Sequence, residues 1–242
     1  SCNVGVGIQA AIDAASPGDT IEVPNGTYYE NVNVNKQLTL RGVGSPVVDA
    51  EGCGTAISLS ADGCTLEGFV AQNAGPDPDA GIKVTSDGNT ISGNTASGNY
   101  DVGIRLESSS SNMLSGNAAT ANRRGIRLSS SSSNTLSGNT AADNDYYGIY
   151  LHSSSDNNML TSNTATGNGG VGIYLSSSSD NRITSNTATG NVRNGIRFES
   201  SSGNTIYQNT FDNINNSWSN SANNWNSTTE IEYGGDTTYV GN

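Results

Sequence analysis

Apolar residues fall along this chain in runs of three or four, in which Ile, Leu or Val alternates with a polar residue. The phrase Gly-Ile-x-apolar opens at Gly81-Ile82-Lys83-Val84 and returns at Gly103, Gly125, Gly148, Gly172 and Gly195, with steps of 22, 22, 23, 24 and 23 residues. A second phrase, Asn89-Thr90-Ile91, keeps the same step at Asn112, Asn134, Asn158, Asn181 and Asn204. Runs this short cannot build a helix, whereas strict alternation suits a strand buried on one face. Gly and Ser/Asn clusters separate the runs and supply turns, and Gly172 and its equivalents read as turn residues. Two or three short strands per 22–24 residues, repeated in register, predict one coil of a parallel β-solenoid. The Leu-x-x-Leu-x-Leu framework of leucine-rich repeats is missing. With strands ~4.8 Å apart, about eight coils would make a rod roughly 40 Å long.

The asparagines acquire a role in that frame. Asn94, Asn117, Asn139, Asn163, Asn186 and Asn209 fall at equivalent positions, and Asn99, Asn122, Asn144, Asn168 and Asn191 form a second file. Stacked amides donate to one neighbour and accept from the next, so a ladder satisfies groups that are costly to bury singly. Asn181, in the strand-opening phrase, shares that stacking role. The ends lose the period, as repeat termini do. Residues 1–20 read as an N-terminal cap, with Ile8, Ala11, Ile12 and Ala15 on one face of a short helix that Ser16-Pro17-Gly18-Asp19 terminates. Residues 21–211 are coils, and residues 212–242, with Trp218, Trp225, Ile231 and Tyr233, read as a C-terminal cap; the whole is one domain.

Composition narrows the function. Of 242 residues, only 33% are hydrophobic and 13% charged, which without a repeat would imply disorder. A net charge of −12 argues against unassisted nucleic-acid binding, which needs basic surface. No run of 18 apolar residues exists, so no membrane span is expected. The acidic, Lys-poor, Asn/Ser/Thr-rich surface suits a secreted or cell-surface protein, and the chain, lacking a signal peptide, reads as a mature or excised form of something longer. Cys2, Cys53 and Cys64 allow one disulfide near the N-terminal end plus a leftover thiol. The sequons Asn25, Asn215 and Asn226 are the glycosylation candidates.

The stretch IQAAIDAASPGDTIEVPNGTYYENVNVNKQLTLRG, Ile8 to Gly42, resembles the N-terminal cap and first coil of pectin-lyase-like right-handed parallel β-helix proteins. It looks especially similar to NosD-like, carbohydrate-associated repeat proteins common on archaeal cell surfaces, and the SGNTA-type repeats extend that resemblance over nearly the whole chain. The resemblance implies an all-β, single-stranded right-handed parallel β-helix with a short N-terminal capping helix. Its implied functions range over polysaccharide lyases, glycoside hydrolases, a periplasmic copper-processing factor and surface proteins.

Within Gly-Ile-x-Leu, x points outward. That file reads Lys83, Arg105, Arg127, Tyr150, Tyr174 and Arg197, flanked by Tyr146, Tyr147, Arg123, Arg124, Arg193, Glu107, His152 and Glu199. A row of Tyr and Arg suits sugar rings, through stacking and through bidentate bonds to carboxylate or sulfate. Long side chains that cover a strand and pair with Asp101, Asp143 and Asp145 would look the same. The sequence therefore predicts an extracellular module that binds a polysaccharide or cell-surface glycan through Lys83, Arg105, Arg127, Tyr147, Tyr150, His152, Tyr174 and Arg197, or that self-assembles as a structural rod. The alternative is a polysaccharide lyase or glycoside hydrolase. Hydrolysis needs two carboxyl groups about 5 to 9.5 Å apart. Glu107 and Glu199 are four coils apart, roughly 19 Å, which leaves Asp101, Asp143 and Asp145 as the carboxylate candidates. A lyase would set Arg105 or Arg127 beside Asp101, with Ca²⁺ as an optional partner. No cofactor is otherwise expected, and no metal site: soft metals need clustered His, Met or Cys, and the chain offers His152, Met113 and Met159, the methionines reading as packing residues.

Overall fold

The computed structural model describes residues 7–225. Three parallel sheets of 10, 9 and 9 strands run the length of the rod, and each coil adds one strand to each sheet. The chain thus makes about nine turns, one more than the period suggests. In a typical coil, Thr90–Ser92 enters sheet 1, Thr95–Ser97 enters sheet 2 and Val102–Glu107 enters sheet 3. Each pairs in register with the strand one period later: Ile91 with Leu114, Ala96 with Ala119, and Ile104 with Ile126.

Alternation sets the interior. Ile82, Ile104, Ile126, Ile149, Ile173 and Ile196 form one fully buried column, and Ala96, Ala119, Ala141, Ala165 and Ala188 form another on sheet 2. The small alanines let sheet 2 approach the larger Ile and Leu columns, so the core is thin and continuous. The alanine column ends where Phe211 takes the place of the next alanine, and Phe198 meets Trp225 edge-on at 5.8 Å, which fills the C-terminal end of the core.

Helix Ile8–Ala14 covers the N-terminal end, burying Ile8 and Ile12, while Ala11 faces outward. Both helix ends are tied to the first coil. Buried Glu30 accepts the Ile8 and Gln9 N–H groups at 2.8 and 3.1 Å, and Lys36 Nζ donates to the carbonyls of Ile12, Asp13 and Ala15. A carboxylate at the N-terminus and an ammonium at the C-terminus satisfy the unpaired end groups and oppose the helix dipole. Cys53 is in a disulfide and Cys64 is a buried free thiol.

Each corner between sheets carries a buried asparagine ladder, so there are three. One runs from Asn89 through Asn112, Asn134, Asn158, Asn181 and Asn204 to Asn223. The other two are the Asn94 and Asn99 files. At Asn117 the backbone N–H and Nδ2 both donate to Asn139 Oδ1, at 3.0 and 2.9 Å, and Nδ2 also reaches Ile91 O at 2.8 Å. Every hydrogen-bonding group of the amide is used. The Gly172 position is explained by this ladder and not by a turn: it lies inside strand Val171–Ser176, and a Cβ there would sit 2.7 Å from Asn191 Nδ2 and 2.8 Å from Gly195 O.

The methionines also differ from the sequence expectation. Met113 and Met159 are 46% and 38% exposed on the outer face of sheet 1, because the following leucines, Leu114 and Leu160, take the inward phase.

Asn139→Ala orphans two buried donors on Asn117 and removes two donated bonds, and should lower stability by about 3 kcal/mol. Thr135→Ala, on the outer face of the same coil, should change it by less than about 0.5 kcal/mol. Urea denaturation followed by circular dichroism measures both, and equal effects would refute the ladder's role.

Candidate functional site

Sheet 3 brings the outward file together. Lys83, Arg105, Arg127, Tyr150, Tyr174 and Arg197 are successive register partners, and Trp218 continues the row. Tyr147 follows Arg124 in the adjacent column, and His152 lies in the column of Glu107 and Glu199.

The row divides into a cationic half and an aromatic half. In the cationic half, Lys83 and Arg105 both hold Glu107 at 2.9 Å. Arg105 and Arg127 converge on Asp77 Oδ1 at 2.5 and 3.3 Å, while Arg124 binds Asp101 at 2.7 Å. Asp77 was invisible to the repeat. It stands on the seven-residue connection 73–79, where the next coil crosses from sheet 2 to sheet 3 with only residues 98–101. Its loop, Gly75-Pro76-Asp77-Pro78-Asp79, is off the period, and that extra length is the one signal that could have found it. Burial opposes ionisation of Asp77, but its hydrogen bond to Arg105 and the charges of Arg105, Arg127 and Arg124 prevail and hold the carboxyl below its ordinary range.

In the aromatic half the rings stack on one another. Tyr150 lies 5.0 Å from Tyr174 at 12° and 4.8 Å from His152 at 10°, and Tyr147 packs against both tyrosines. Their faces are thereby covered, and Tyr174 is only 8% exposed. Tyr174 donates to Glu199 at 2.5 Å; burial and this bond push its hydroxyl up to about 12. Arg197 sits between Tyr174 and Trp218, its guanidinium 5.5 and 4.4 Å from the two rings.

His152 joins the halves. Its Nε2 accepts from Arg127 Nε at 2.9 Å and its Nδ1 lies 2.8 Å from Ser153 Oγ, so the tautomer carries its proton on Nδ1. Burial, then the charges of Arg127, Arg105 and Arg124, depress its pKa to about 4. It is neutral at pH 7 and both nitrogens are engaged.

Six of the chain's ten cations, Lys83, Arg105, Arg123, Arg124, Arg127 and Arg197, lie on or beside this face, against the carboxylates Asp77, Asp101, Glu107 and Glu199. On a chain of net charge −12, this face thus carries more cations than carboxylates among the residues named. Buried unpartnered polar atoms also gather here: Arg105 Nε, Arg124 Nε, Arg197 Nε and Asp101 Oδ2.

Asp101 is 1% exposed beneath Arg124, with Arg123 3.8 Å away, whereas Asp143 and Asp145 lie on exposed or turn backbone of a later coil. Asn25 and Asn215 are exposed, and Asn226 lies outside the described residues. Ile231 and Tyr233 also lie outside them.

The chain belongs to the family described as periplasmic copper-binding protein (NosD), whose model matches residues 15–242. Its fold is that of a pectate lyase, Pel9A, with a TM-score of 0.68 at 20% identity over 85% of this chain and 64% of the lyase. The enzymatically active domain of bacteriophage CBA120 tailspike protein 2 superposes with a TM-score of 0.63 at 14% identity, covering 90% of this chain and 40% of that one. The periplasmic alginate epimerase AlgG gives 0.50 at 15% identity, over 84% and 68%. This chain thus spans less than two thirds of the lyase and of the tailspike domain. These likenesses define a pectin-lyase-like right-handed parallel β-helix. No curated protein matches the chain.

The copper named in the family's description does not fit the donors present. Both nitrogens of His152 are engaged, Met113 and Met159 stand on a different sheet, and among the described residues no three His, Cys, Asp or Glu side chains gather. Among the described residues no helix is long and apolar enough to cross a membrane.

Because the folded state resists protonating His152 between its ordinary pKa of 6.5 and about 4, the unfolded chain binds the extra proton in that window. The contribution is whole above pH 6.5 and is lost as pH falls toward 4. His152→Gln, which keeps an acceptor for Arg127, should flatten the fall in melting temperature between those limits. Identical pH profiles would contradict the assigned environment.

Proposed function

We propose that sheet 3 binds an acidic polysaccharide, on a protein that works in the periplasm or outside the cell, and that it holds the glycan without cleaving it. One observation carries this reading: Arg105 and Arg127 already grip a carboxylate, that of Asp77, whose side chain is 58% exposed on a loop. A guanidinium pair that converges on one carboxylate from below, at the middle of a cationic row, is suited to a uronate in the same place. The half-buried Tyr147 and Tyr150 extend the row with hydroxyls that hydrogen-bond sugar hydroxyls. The structural neighbours, a pectate lyase and an alginate epimerase, are in keeping with a polyuronate, and the disulfide at Cys53 with an oxidising compartment.

Cleavage has less support. His152, the obvious base, has its lone pair on the Arg127 Nε–H, and the buried Asp101 has no open side.

The test is binding of polygalacturonate, alginate and a neutral glucan by wild type and by the triple variant Arg127→Ala, Tyr150→Ala, Tyr174→Ala. Wild type should bind the two uronates, more weakly as salt rises, and the variant should lose at least tenfold in affinity. Binding unchanged in the variant would exclude this face. Asp77→Ala, by removing the competing carboxylate, should raise affinity several-fold. Unsaturated or reducing ends released from either uronate would overturn the non-cleaving role, and oligomers with no glycan binding would favour a structural rod.

A further inference from the structure

Beside sheet 3, at the corner it shares with sheet 2, one of the coils that carry the ladder-facing glycine is a residue short. The ladder asparagine and the glycine that follows it are four apart at Asn99–Gly103, Asn144–Gly148, Asn168–Gly172 and Asn191–Gly195, but three apart at Asn122–Gly125. The backbone there runs straight from Asn122 to Arg123, whose carbonyls accept the Asp145 and Tyr146 N–H groups of the next coil at 2.9 Å. The missing residue leaves a notch of about 530 Å³ between neighbouring coils, lined by Tyr100, Ala121, Asn122, Arg123, Asp145 and Tyr146.

Its walls differ from the stacked aromatics of the sheet. Tyr100 is 70% exposed and Tyr146 48%, although Tyr146 packs edge-on against Tyr147 at 6.2 Å. Arg123 closes the inner side, its guanidinium 4.9 Å from the Tyr146 centroid and 3.8 Å from Asp101. Asn122 is buried with its amide committed to the ladder, so the floor is inert. Ala121, which also lines the notch, holds φ 54, a conformation that glycine adopts at the equivalent Gly98, Gly167 and Gly190. A methyl group in that backbone is unfavourable by itself, and here it adds apolar surface to the cavity. The exposed Tyr100 ring, the Tyr146 ring with Arg123 over one face, and one exposed carboxylate, around a volume in the range of small-ligand sites, match the chemistry of a single acidic sugar residue. The apolar ring face would lie on tyrosine, the anionic group on Arg123 and hydroxyls on Asp145.

We infer that this notch is a separate subsite for one uronate residue of a polysaccharide whose neighbouring residues lie on the sheet-3 row, an inference that rests on the glycan reading above. Arg123 is four residues from Arg127, about 13 Å along the strand direction, so only an oligosaccharide of several residues reaches both. The experiment is calorimetric titration of the protein with a hexuronate and with the corresponding diuronate. Three proteins are compared: wild type, Tyr100→Ala/Tyr146→Ala, and a variant with one glycine inserted between Asn122 and Arg123 to restore the turn length of the other coils. Circular dichroism melts establish that each is folded, and amide shifts at residues 98–101 and 121–123 report the notch directly in wild type.

The expected result is a loss of at least tenfold in hexuronate affinity in both variants, with diuronate affinity unchanged and notch shifts on hexuronate addition. Hexuronate binding unaffected by both variants, or reduced no more than diuronate binding, would overturn the subsite while leaving the sheet-3 row intact. Absence of uronide binding by wild type would overturn the row and the subsite together.

Discussion

The interaction on which the rest depends is the stacking of buried asparagine amides from coil to coil. A solenoid with so few apolar residues has a thin core and could slide in register, since one alanine or isoleucine packs much like the next. The ladders remove that freedom. A typical amide such as Asn134 uses its oxygen for two donors of the preceding coil and its nitrogen for the next amide and a carbonyl, so a shift of one residue would leave a file of polar groups buried and unpaired. The glycines of sheet 3 follow from the same constraint, because any side chain at Gly125 or Gly148 would meet the ladder amide and the next coil's carbonyl.

With the interior and corners fixed, variation is confined to outward strand positions and to the lengths of the connections. Both are used on one side of the rod. The outward file of sheet 3 collects cations that are scarce elsewhere. The connection of residues 73–79 is long enough to lay Asp77 across Arg105 and Arg127, and the Asn122–Gly125 connection is short enough to open a notch beside them. The family's name points to copper, yet the side chains assembled here are arginines, tyrosines and one engaged histidine, which recognise carboxylates and hydroxyls.

The fold was legible because periodicity and alternation are local properties of the chain: the strands, the register partners of Lys83 through Arg197 and the asparagine files all follow from spacing. Met113 and Met159 point outward despite their hydrophobicity, because the alternation puts Leu114 and Leu160 inward. Gly172 is a different case, since the nearness of Asn191 is a contact across coils that turn statistics do not contain. The site was only half legible. A file of Arg and Tyr announces a surface, but whether tyrosine rings lie flat or stack on edge depends on rotamers, and Asp77 meets Arg105 through a loop outside the repeat.

The central claim is that the Asp77 carboxylate holds the place of a ligand's carboxylate. A crystal structure of the protein with a hexuronate bound tests this most directly. The account predicts a uronate carboxylate bridging Arg105 and Arg127 with Asp77 displaced from both; a hexuronate seated elsewhere with the Asp77 bridge intact would contradict it.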